Sequence, residues 1–100
     1  MKPTFLELRH LRTLLALKET GSVSMAAKRV YLTQSALSHQ IKLMEEQFGL
    51  PLFERKSNPL RFTAAGDRLI RLANEILPKV VDAERELASV KHGDAGQLRI

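Results

Sequence analysis

Hydrophobic residues recur along the chain at helical spacings, and the first series lies near the N-terminus. Its apolar positions are Phe5, Leu8, Leu11 and Leu15, which are spaced by three or four residues. Leu14 and Leu17 widen the apolar face. This spacing predicts an amphipathic helix that runs to about Glu19. Gly21 follows and predicts its end, because glycine readily takes the left-handed conformation that closes helices. We expect this helix to be scaffold, and we expect His10 to be a half-buried surface residue on it.

Two further helical segments follow closely and are joined by a short turn. Ser24 predicts the N-cap of a short helix whose two adjacent alanines suit a close crossing of helices. After a three-residue connection, Thr33 predicts the cap of a longer helix over residues 34–48, which Gly49 ends. A short helix, a tight turn and a longer capped helix are the plan of a helix-turn-helix.

The second helix of this pair has two different faces. Its apolar stripe consists of Leu37, Ile41, Met44 and Phe48. A separate arc, about 140° wide at roughly 100° per residue, holds Gln34, Ser35, Ser38, His39 and Lys42. Glutamine and serine can read base edges, and histidine and lysine can meet bases or phosphates. An isolated helix of this kind is more simply a solvated surface, but the turn before it and its basic surroundings favour a recognition helix.

After Gly49 the pattern changes to short extended segments. Residues 50–55 and 60–62 predict two strands, and residues 56–59 predict the turn between them, since Ser-Asn-Pro is rich in turn formers. Arg55, Lys56 and Arg61 cluster around this turn. The alternative is a solvated turn with unrelated charges. We expect a β-hairpin wing laid along a phosphate backbone, which needs cationic side chains rather than base readout.

The last apolar series predicts one long helix. Thr63 can cap it at Ala64, and Asp67 suits the positive end of its dipole. Its apolar positions alternate spacings of four and three over three heptads: Leu69, Ala73, Ile76, Val80, Ala83, Leu87 and Val90, with Leu72 and Leu77 beside them. The alternative to a dimerisation helix is packing on its own domain, but the preceding elements already predict a closed core, so we expect a partner helix. Pro78 predicts a bend.

Composition and charge narrow the class of partner. Residues 1–63 hold ten Lys and Arg against five Asp and Glu, and residues 64–100 hold six of each, so the whole excess of five positive charges lies with the helix-turn-helix. A basic, compact module indicates a polyanionic partner, nucleic acid first. The absence of cysteine excludes disulfides and thiolate sites. No apolar run approaches membrane length and no signal-peptide pattern is present, so we expect a cytoplasmic protein without a membrane partner.

Two other classes of function fit parts of the sequence. Ser35, Ser38 and His39 beside Glu45 could be read as a hydrolytic constellation, but neighbouring positions on one exposed helix do not converge on a pocket, and no oxyanion site is evident. We therefore expect no enzyme activity, no cofactor and no metal. A helical module that binds only other proteins is a better rival. It predicts binding that is insensitive to salt and indifferent to DNA, which one titration distinguishes.

These residues resemble the N-terminal region of LysR-type transcriptional regulators over nearly all of residues 5–100. The matching positions are Ser24, 26–27, 33–38, Ile41, Leu43, Glu45, 48–49, 52–55 and 62–66. Residues 96–100 resemble the first strand of that family's effector-binding domain. Within the family, residues 33–40 and 55–63 most resemble the members that regulate methionine biosynthesis genes.

The resemblance implies a mainly α fold, a winged helix-turn-helix with a three-helix core and a β-hairpin wing, followed by a long dimerisation helix. It implies double-stranded DNA with interrupted palindromic promoter sites as the partner, dimers that form tetramers in the full-length protein, and a small-molecule coinducer bound outside this region. For a methionine regulator that coinducer is homocysteine. We expect residues 1–63 to bind DNA, residues 64–92 to dimerise, and residues 93–100 to be a hinge and the first strand of an effector-binding domain.

The expected site residues fall into three groups. The expected base contacts are Gln34, Ser35, Ser38 and His39, where His39 replaces the arginine of many family members and weakens the expectation of guanine readout. The expected contacts to the DNA backbone are Ser24, Thr33, Lys42, Arg55, Lys56, Arg61 and Thr63. The expected dimer interface consists of Leu69, Leu72, Ala73, Ile76, Val80, Ala83, Leu87 and Val90.

Overall fold

Four α-helices make up most of the described chain, which is residues 4–54 and 59–91 of a computed structural model. In chain order they are α1 (Leu8–Thr20), α2 (Val23–Arg29), α3 (Gln34–Phe48) and α4 (Ala64–Lys91). α1 is central, because it packs against both α2 and α4, while α2 packs against α3. The prediction of a mainly α fold with these four helices is confirmed.

α1 begins three residues later than Phe5, where the apolar series starts. Glu7 is its N-cap and forms a reciprocal capping box with His10, which satisfies amides that the first turn leaves without partners. At the other end, Gly21 takes φ 67° and its amide donates to the carbonyl of Leu17 at 2.8 Å, so the predicted end is confirmed. Leu8 is 37% exposed, contrary to prediction. The buried face instead comprises His10, Leu11, Thr13, Leu14, Ala16 and Leu17.

His10 is fully buried, and the prediction of a half-buried surface residue is wrong. Its ring stacks on Phe5 with centroids 4.9 Å apart, and Phe5 in turn meets Phe48 edge to face. The backbone N–H of Glu7 donates to Nδ1 of His10 at 2.9 Å, which requires that nitrogen to be unprotonated. Burial lowers the pKa of His10, the charge of Arg9 lowers it further, and the carboxylate of Glu7 opposes them.

We expect this histidine to make the fold sensitive to acid. Because its pKa is lower in the folded chain than in the unfolded chain, its contribution is complete above about pH 6.5 and is lost as the pH falls through the folded value. The free energy of unfolding from urea titrations should therefore fall between pH 7 and pH 5. A His10→Gln variant should show a smaller fall, and His39→Gln, on the exposed face of α3, should behave like the unaltered chain. An equal fall in His10→Gln would contradict this assignment.

α2 begins at Val23, and its cap differs from the predicted one. The hydroxyl of Ser22 accepts a hydrogen bond from the amide of Met25 at 3.2 Å, with Ser22 in an extended conformation. Ser24, the predicted cap, is instead an exposed residue within the helix. The reason is that Gly21 ends α1 directly before Ser22, so the chain has already turned when it reaches Ser22.

The core consists of two adjoining clusters. The first joins α1, α2 and α3 and contains Ala16, Leu17, Ala26, Ala27 and Leu37. The second joins α1, α3, the segment after α3 and α4, and contains Leu14, Met44, Leu52 and Ile70. Half-buried Ile41, Phe53 and Phe62 pack against both clusters, so one continuous apolar interior positions α3 against the rest of the domain.

The segments after α3 meet at one antiparallel β-bridge, between Phe53 and Phe62. The amide of Glu54 donates to the carbonyl of Arg61 at 3.0 Å, and the two phenylalanine rings lie 4.6 Å apart. The bridge joins one residue from each of the two predicted short segments. Arg55, Lys56 and most of the predicted turn, residues 56–58, lie outside the described residues, so the β-hairpin remains a prediction.

α4 begins at Ala64 and is capped by Thr63, as predicted. The hydroxyl of Thr63 accepts from the amide of Gly66 at 3.2 Å, and its carbonyl accepts from the amide of Asp67 at 2.9 Å. Gly66 itself is buried beneath Leu52 and Phe62, which leave no room for a side chain. The helix thereby anchors the paired segment to the core at its first turn.

Only the first half of α4 packs on its own domain. Gly66, Ile70 and Ala73 are its buried residues. Ala73 has no exposed surface, so the prediction that it contacts a partner is wrong: α1 already covers it. Beyond Pro78, which lies inside the continuous helix, Leu87 is 55% exposed. The alternative of packing on its own domain is therefore correct for the first half of the helix alone.

Candidate nucleic-acid interface

α3 is fixed at both ends and along one face, which leaves its other face free. The hydroxyl of Thr33 accepts from the amide of Ala36 at 3.0 Å, and Gly49 closes the helix with φ 67°. Leu37 and Met44 have no exposed surface and anchor it in both core clusters. Both predicted caps are confirmed, and the predicted stripe is correct at its centre, although Phe48 is exposed at its end.

The predicted polar arc lies entirely at the surface. Its exposed members are Gln34, Ser35, Ser38, His39 and Lys42. None of their side chains makes a hydrogen bond or ion pair with another residue of the described chain. Their donors and acceptors are therefore available to an outside ligand, and they project from a helix whose position the core determines.

Two hydroxyls flanking this arc are also available. Thr33 uses its oxygen lone pair for the cap but has no acceptor for its proton among the described residues. Ser24 is exposed at the start of α2, and because Ser22 takes the capping role, the hydroxyl of Ser24 is uncommitted. Either hydroxyl can donate to a phosphate oxygen.

Thr63 differs from these two hydroxyls. Its Oγ1 donates to the carbonyl of Pro51 at 2.7 Å, and its amide donates to the carbonyl of Leu52 at 3.0 Å. Both donors of Thr63 are thus used within the fold, so a contact to phosphate requires the hydroxyl to leave Pro51. The sequence could not show this, because Pro51 and Thr63 meet only through the tertiary structure.

Glu45 has a positioning role that the sequence analysis missed. Its Oε2 accepts from the amide of Leu52 at 2.7 Å, which ties α3 to the start of the paired segment. A groove between α2, α3 and this segment is lined by Val23, Ser38, Phe53 and Leu60. Ser38 therefore stands beside the expected wing. The only signal in the sequence is the motif position of Glu45, which does not identify its partner.

The turn between α2 and α3 contains the one non-glycine residue with positive φ in the described chain. Tyr31 takes φ 60° and is 94% exposed. The flanking amide of Leu32 donates to the carbonyl of Ala27 at 2.8 Å, which holds the turn closed. A left-handed conformation costs a tyrosine about 1–2 kcal/mol, and its exposed ring returns no packing energy.

Neither the hypothetical hydrolytic constellation nor a group of metal ligands comes together within the described residues. The three side chains of the hypothetical hydrolytic constellation, Ser35, Ser38 and His39, are exposed and make no hydrogen bond to one another. Within residues 4–54 and 59–91 no group of three potential metal ligands converges. No helix in that part of the chain has the length and apolarity needed to span a membrane.

A capped helix that presents unpaired polar side chains after a tight turn defines a helix-turn-helix of the DNA-binding class. Comparison with known proteins agrees. Residues 8–67 match the family model described as bacterial regulatory helix-turn-helix protein, lysR family. The chain belongs to this LysR family.

Relatives and solved structures extend the comparison. The HTH-type transcriptional regulator MetR of Haemophilus influenzae is 89% identical over all of this chain and 32% of its own length, and MetR of Escherichia coli K12 is 50% identical over 78% of this chain and 25% of its own. This chain thus spans about a quarter to a third of the length of these relatives. The BenM DBD in complex with catB site 1 DNA superimposes with a TM-score of 0.81 at 32% identity, covering 93% of this chain and all of that one. The CbnR DBD–DNA complex gives 0.71 at 30% identity over 85% of this chain and 99% of that one.

Proposed function

We propose that this chain is the DNA-binding and dimerisation part of a transcriptional regulator that controls methionine biosynthesis genes. The observation that carries the proposal is the uncommitted polar arc on α3. Two structural neighbours were solved as DNA complexes, which supports DNA as the partner. Relatives at 89% and 50% identity are named MetR, which supports the methionine pathway. The rival, a module that binds only protein, leaves this arc without a purpose.

In the proposed complex the first turns of α3 enter the major groove. Gln34, Ser35, Ser38 and His39 contact base edges there, since the first turns of a recognition helix are the part that reaches them. Ser24, Thr33 and Lys42 contact the flanking phosphates. A β-hairpin built on the Phe53–Phe62 pair carries Arg55, Lys56 and Arg61 along the backbone as a wing.

The proposed dimer uses the face of α4 that its own domain leaves uncovered. Residues facing α1 and residues on the predicted stripe fall about 90° apart around the helix. The uncovered face consists of Leu69, Leu72, Ile76, Val80, Ala83, Leu87 and Val90, all half-buried or exposed. Of these, Leu69 at its edge also packs against the domain's own core. A second copy pairing antiparallel about a two-fold axis would cover both stripes. By resemblance to the family, we also propose that two such dimers form a tetramer. We propose homocysteine as the coinducer, bound outside this region.

Replacing Gln34 by alanine tests the base contacts. We expect the variant to lose about 1–3 kcal/mol of binding free energy on a duplex that the unaltered chain selects from a random pool, and much less on unselected duplexes, because a base contact carries specificity. Fluorescence anisotropy on both duplexes measures the difference. Gln47→Ala is the matched control: it is exposed on the same helix but lies outside the polar arc. Equal losses on both duplexes would show that Gln34 contacts the backbone instead.

A further inference from the structure

A second polar surface lies on the opposite flank of α3 from the expected wing. It is a pocket between α1, the turn and α3, lined by Arg9, Arg12, Arg29, Tyr31 and Gln40 among others, and we call it the arginine pocket. Gln40 lies about 100° or more around α3 from every member of the polar arc. Gln40 therefore faces a different direction from the arc, and the pocket needs a separate explanation.

Two of the three arginines in the pocket already pair with carboxylates. Arg9 contacts the carboxylate of Glu7 at 3.0 Å, and Arg29 contacts that of Glu19 at 2.7 Å. Each side chain in these pairs is more than half exposed, so the pairs are weak and an incoming carboxylate can replace them. Arg12, between them, has no carboxylate within the described chain. The lining itself contains three arginines and no acidic residue.

Gln40 adds a requirement that a simple anion does not meet. Its Oε1 is buried and is the one buried side-chain oxygen or nitrogen in the described chain without a hydrogen-bond partner. Such an atom destabilises the fold unless a donor reaches it. A phosphodiester or a free carboxylate offers only acceptors, whereas a peptide offers backbone N–H groups next to its acidic side chains.

Tyr31 gives a third, independent observation at the rim of the same pocket. Its left-handed backbone and 94% exposed ring contribute nothing to the core. Strain that folding does not repay is typical of functional surfaces, and exposed tyrosines are frequent anchors in protein interfaces.

We infer that the arginine pocket binds an acidic, extended segment of another protein. The carboxylates of that segment pair with Arg12 and with the arginines now held by Glu7 and Glu19, and a backbone N–H donates to Oε1 of Gln40. Tyr31 packs over the segment at the rim. The partner binds while α3 lies in the DNA groove, so this surface recruits a protein to the DNA-bound regulator. The inference concerns a surface separate from the DNA-binding arc of the proposed function.

A titration with a defined peptide tests the inference. The probe is a fluorescein-labelled, blocked peptide of four Asp-Ala repeats, whose carboxylates lie on one side of an extended chain, and the control probe has four Asn-Ala repeats. We expect the acidic probe to bind the 100-residue chain and the control probe not to bind. Arg12→Gln should weaken binding about fivefold to tenfold, while Lys42→Gln on the polar arc should leave it unchanged.

Gln40→Met separates a binding role from a structural one. Removal of a buried unpaired oxygen should leave the midpoint of thermal unfolding unchanged or raised, while the acidic probe binds at least threefold more weakly. A lowered midpoint with unchanged probe binding would show that Gln40 serves only the fold and would overturn the inference.

Three further results would overturn it. Equal binding of both probes would exclude a carboxylate site. Displacement of the acidic probe by duplex DNA or by single-stranded RNA would show that the pocket is part of a nucleic-acid surface. Weaker self-association of Arg12→Gln in sedimentation would show that a second copy fills the pocket. The probe titrations contain no DNA, so a failure of the proposed DNA binding would be seen separately, in the Gln34 experiment.

Discussion

Replacing Gly66 by alanine is expected to destabilise this domain severely, although alanine is the better helix former. A Cβ at this position would overlap the carbonyl oxygen of Leu52 and lie 2.9 Å from Cδ2 of Phe62. The Leu52 carbonyl is backbone and also accepts from the amide of Thr63, so it has no room to withdraw. Overpacking of this kind costs about 3 kcal/mol, against a gain of at most about 1 kcal/mol in helix propensity.

The net loss of about 2 kcal/mol or more should lower the midpoint of thermal unfolding by roughly 10 °C, as followed by circular dichroism. Gly49→Ala is the matched control. Gly49 has φ 67° and nothing lies within 4 Å of the place a Cβ would occupy, so alanine there should cost only the left-handed conformation, about 1 kcal/mol. A Gly66→Ala chain as stable as the original would show that Leu52 and the paired segment can move away from α4 at little cost.

The sequence was sufficient where the deciding interactions are local. The cap of α3 is a hydrogen bond between Thr33 and Ala36, three residues apart, and Gly49 ends the same helix through its own backbone. Hydrophobic periodicity then placed Leu37 and Met44 inside and the five polar residues outside. The candidate site could therefore be predicted as a face of α3 before any tertiary contact was known.

Predictions were wrong where tertiary contacts between different segments determine whether a side chain is buried. Histidine is a polar residue type, but the ring of His10 stacks on Phe5, which in turn meets Phe48 edge to face. Periodicity assigned Ala73 to the dimer stripe, but α1 covers it. The hydrogen bond from the amide of Leu52 to Glu45 and the one from the hydroxyl of Thr63 to Pro51 are likewise tertiary, and no spacing rule predicts them.

Gly66 shows the same limit in another form. From the sequence it is a residue that slightly weakens the first turn of a helix, and its cost there is the only effect that propensity predicts. In the structure it is the point where the paired segment crosses α4 at backbone contact distance. A motif can mark such a glycine, but only the packing gives the physical reason for it.

The correction at Ala73 strengthens the case for pairing through α4. Once Gly66, Ile70 and Ala73 are assigned to the domain, the remaining stripe is a separate face rather than the edge of one core. That face continues past Pro78, where Leu87 is 55% exposed. The helix of 28 residues is about 42 Å long, enough for two antiparallel copies to hold recognition helices near the 34 Å spacing of successive major grooves.

Replacing Val80 by aspartate is expected to abolish the dimer and specific DNA binding together. Val80 is half-buried on the uncovered face near the middle of α4, so a two-fold axis would bring both copies of the new carboxylate into one seam. An unpaired buried charge costs about 3–5 kcal/mol, which corresponds to a dissociation constant raised on the order of 100-fold or more. The helix-turn-helix domain itself should remain folded, because Val80 lies beyond the residues that α1 covers. Sedimentation velocity measures the loss of the dimer, fluorescence anisotropy on the selected duplex measures the loss of specific DNA binding, and circular dichroism shows whether the domain stays folded.

Val81→Asp makes this test specific to one face of the helix. Val81 is the adjacent residue of the same type, 41% exposed, and it lies about 100° around α4 from Val80. The two variants carry the same added charge and the same change in helix propensity, so they differ only in the direction of the side chain. We expect Val81→Asp to remain dimeric and to bind the selected duplex with nearly its original affinity. If Val81→Asp dissociates while Val80→Asp stays dimeric at micromolar concentration, the partner covers the other face of α4, and the uncovered stripe from Leu69 to Val90 is not the interface.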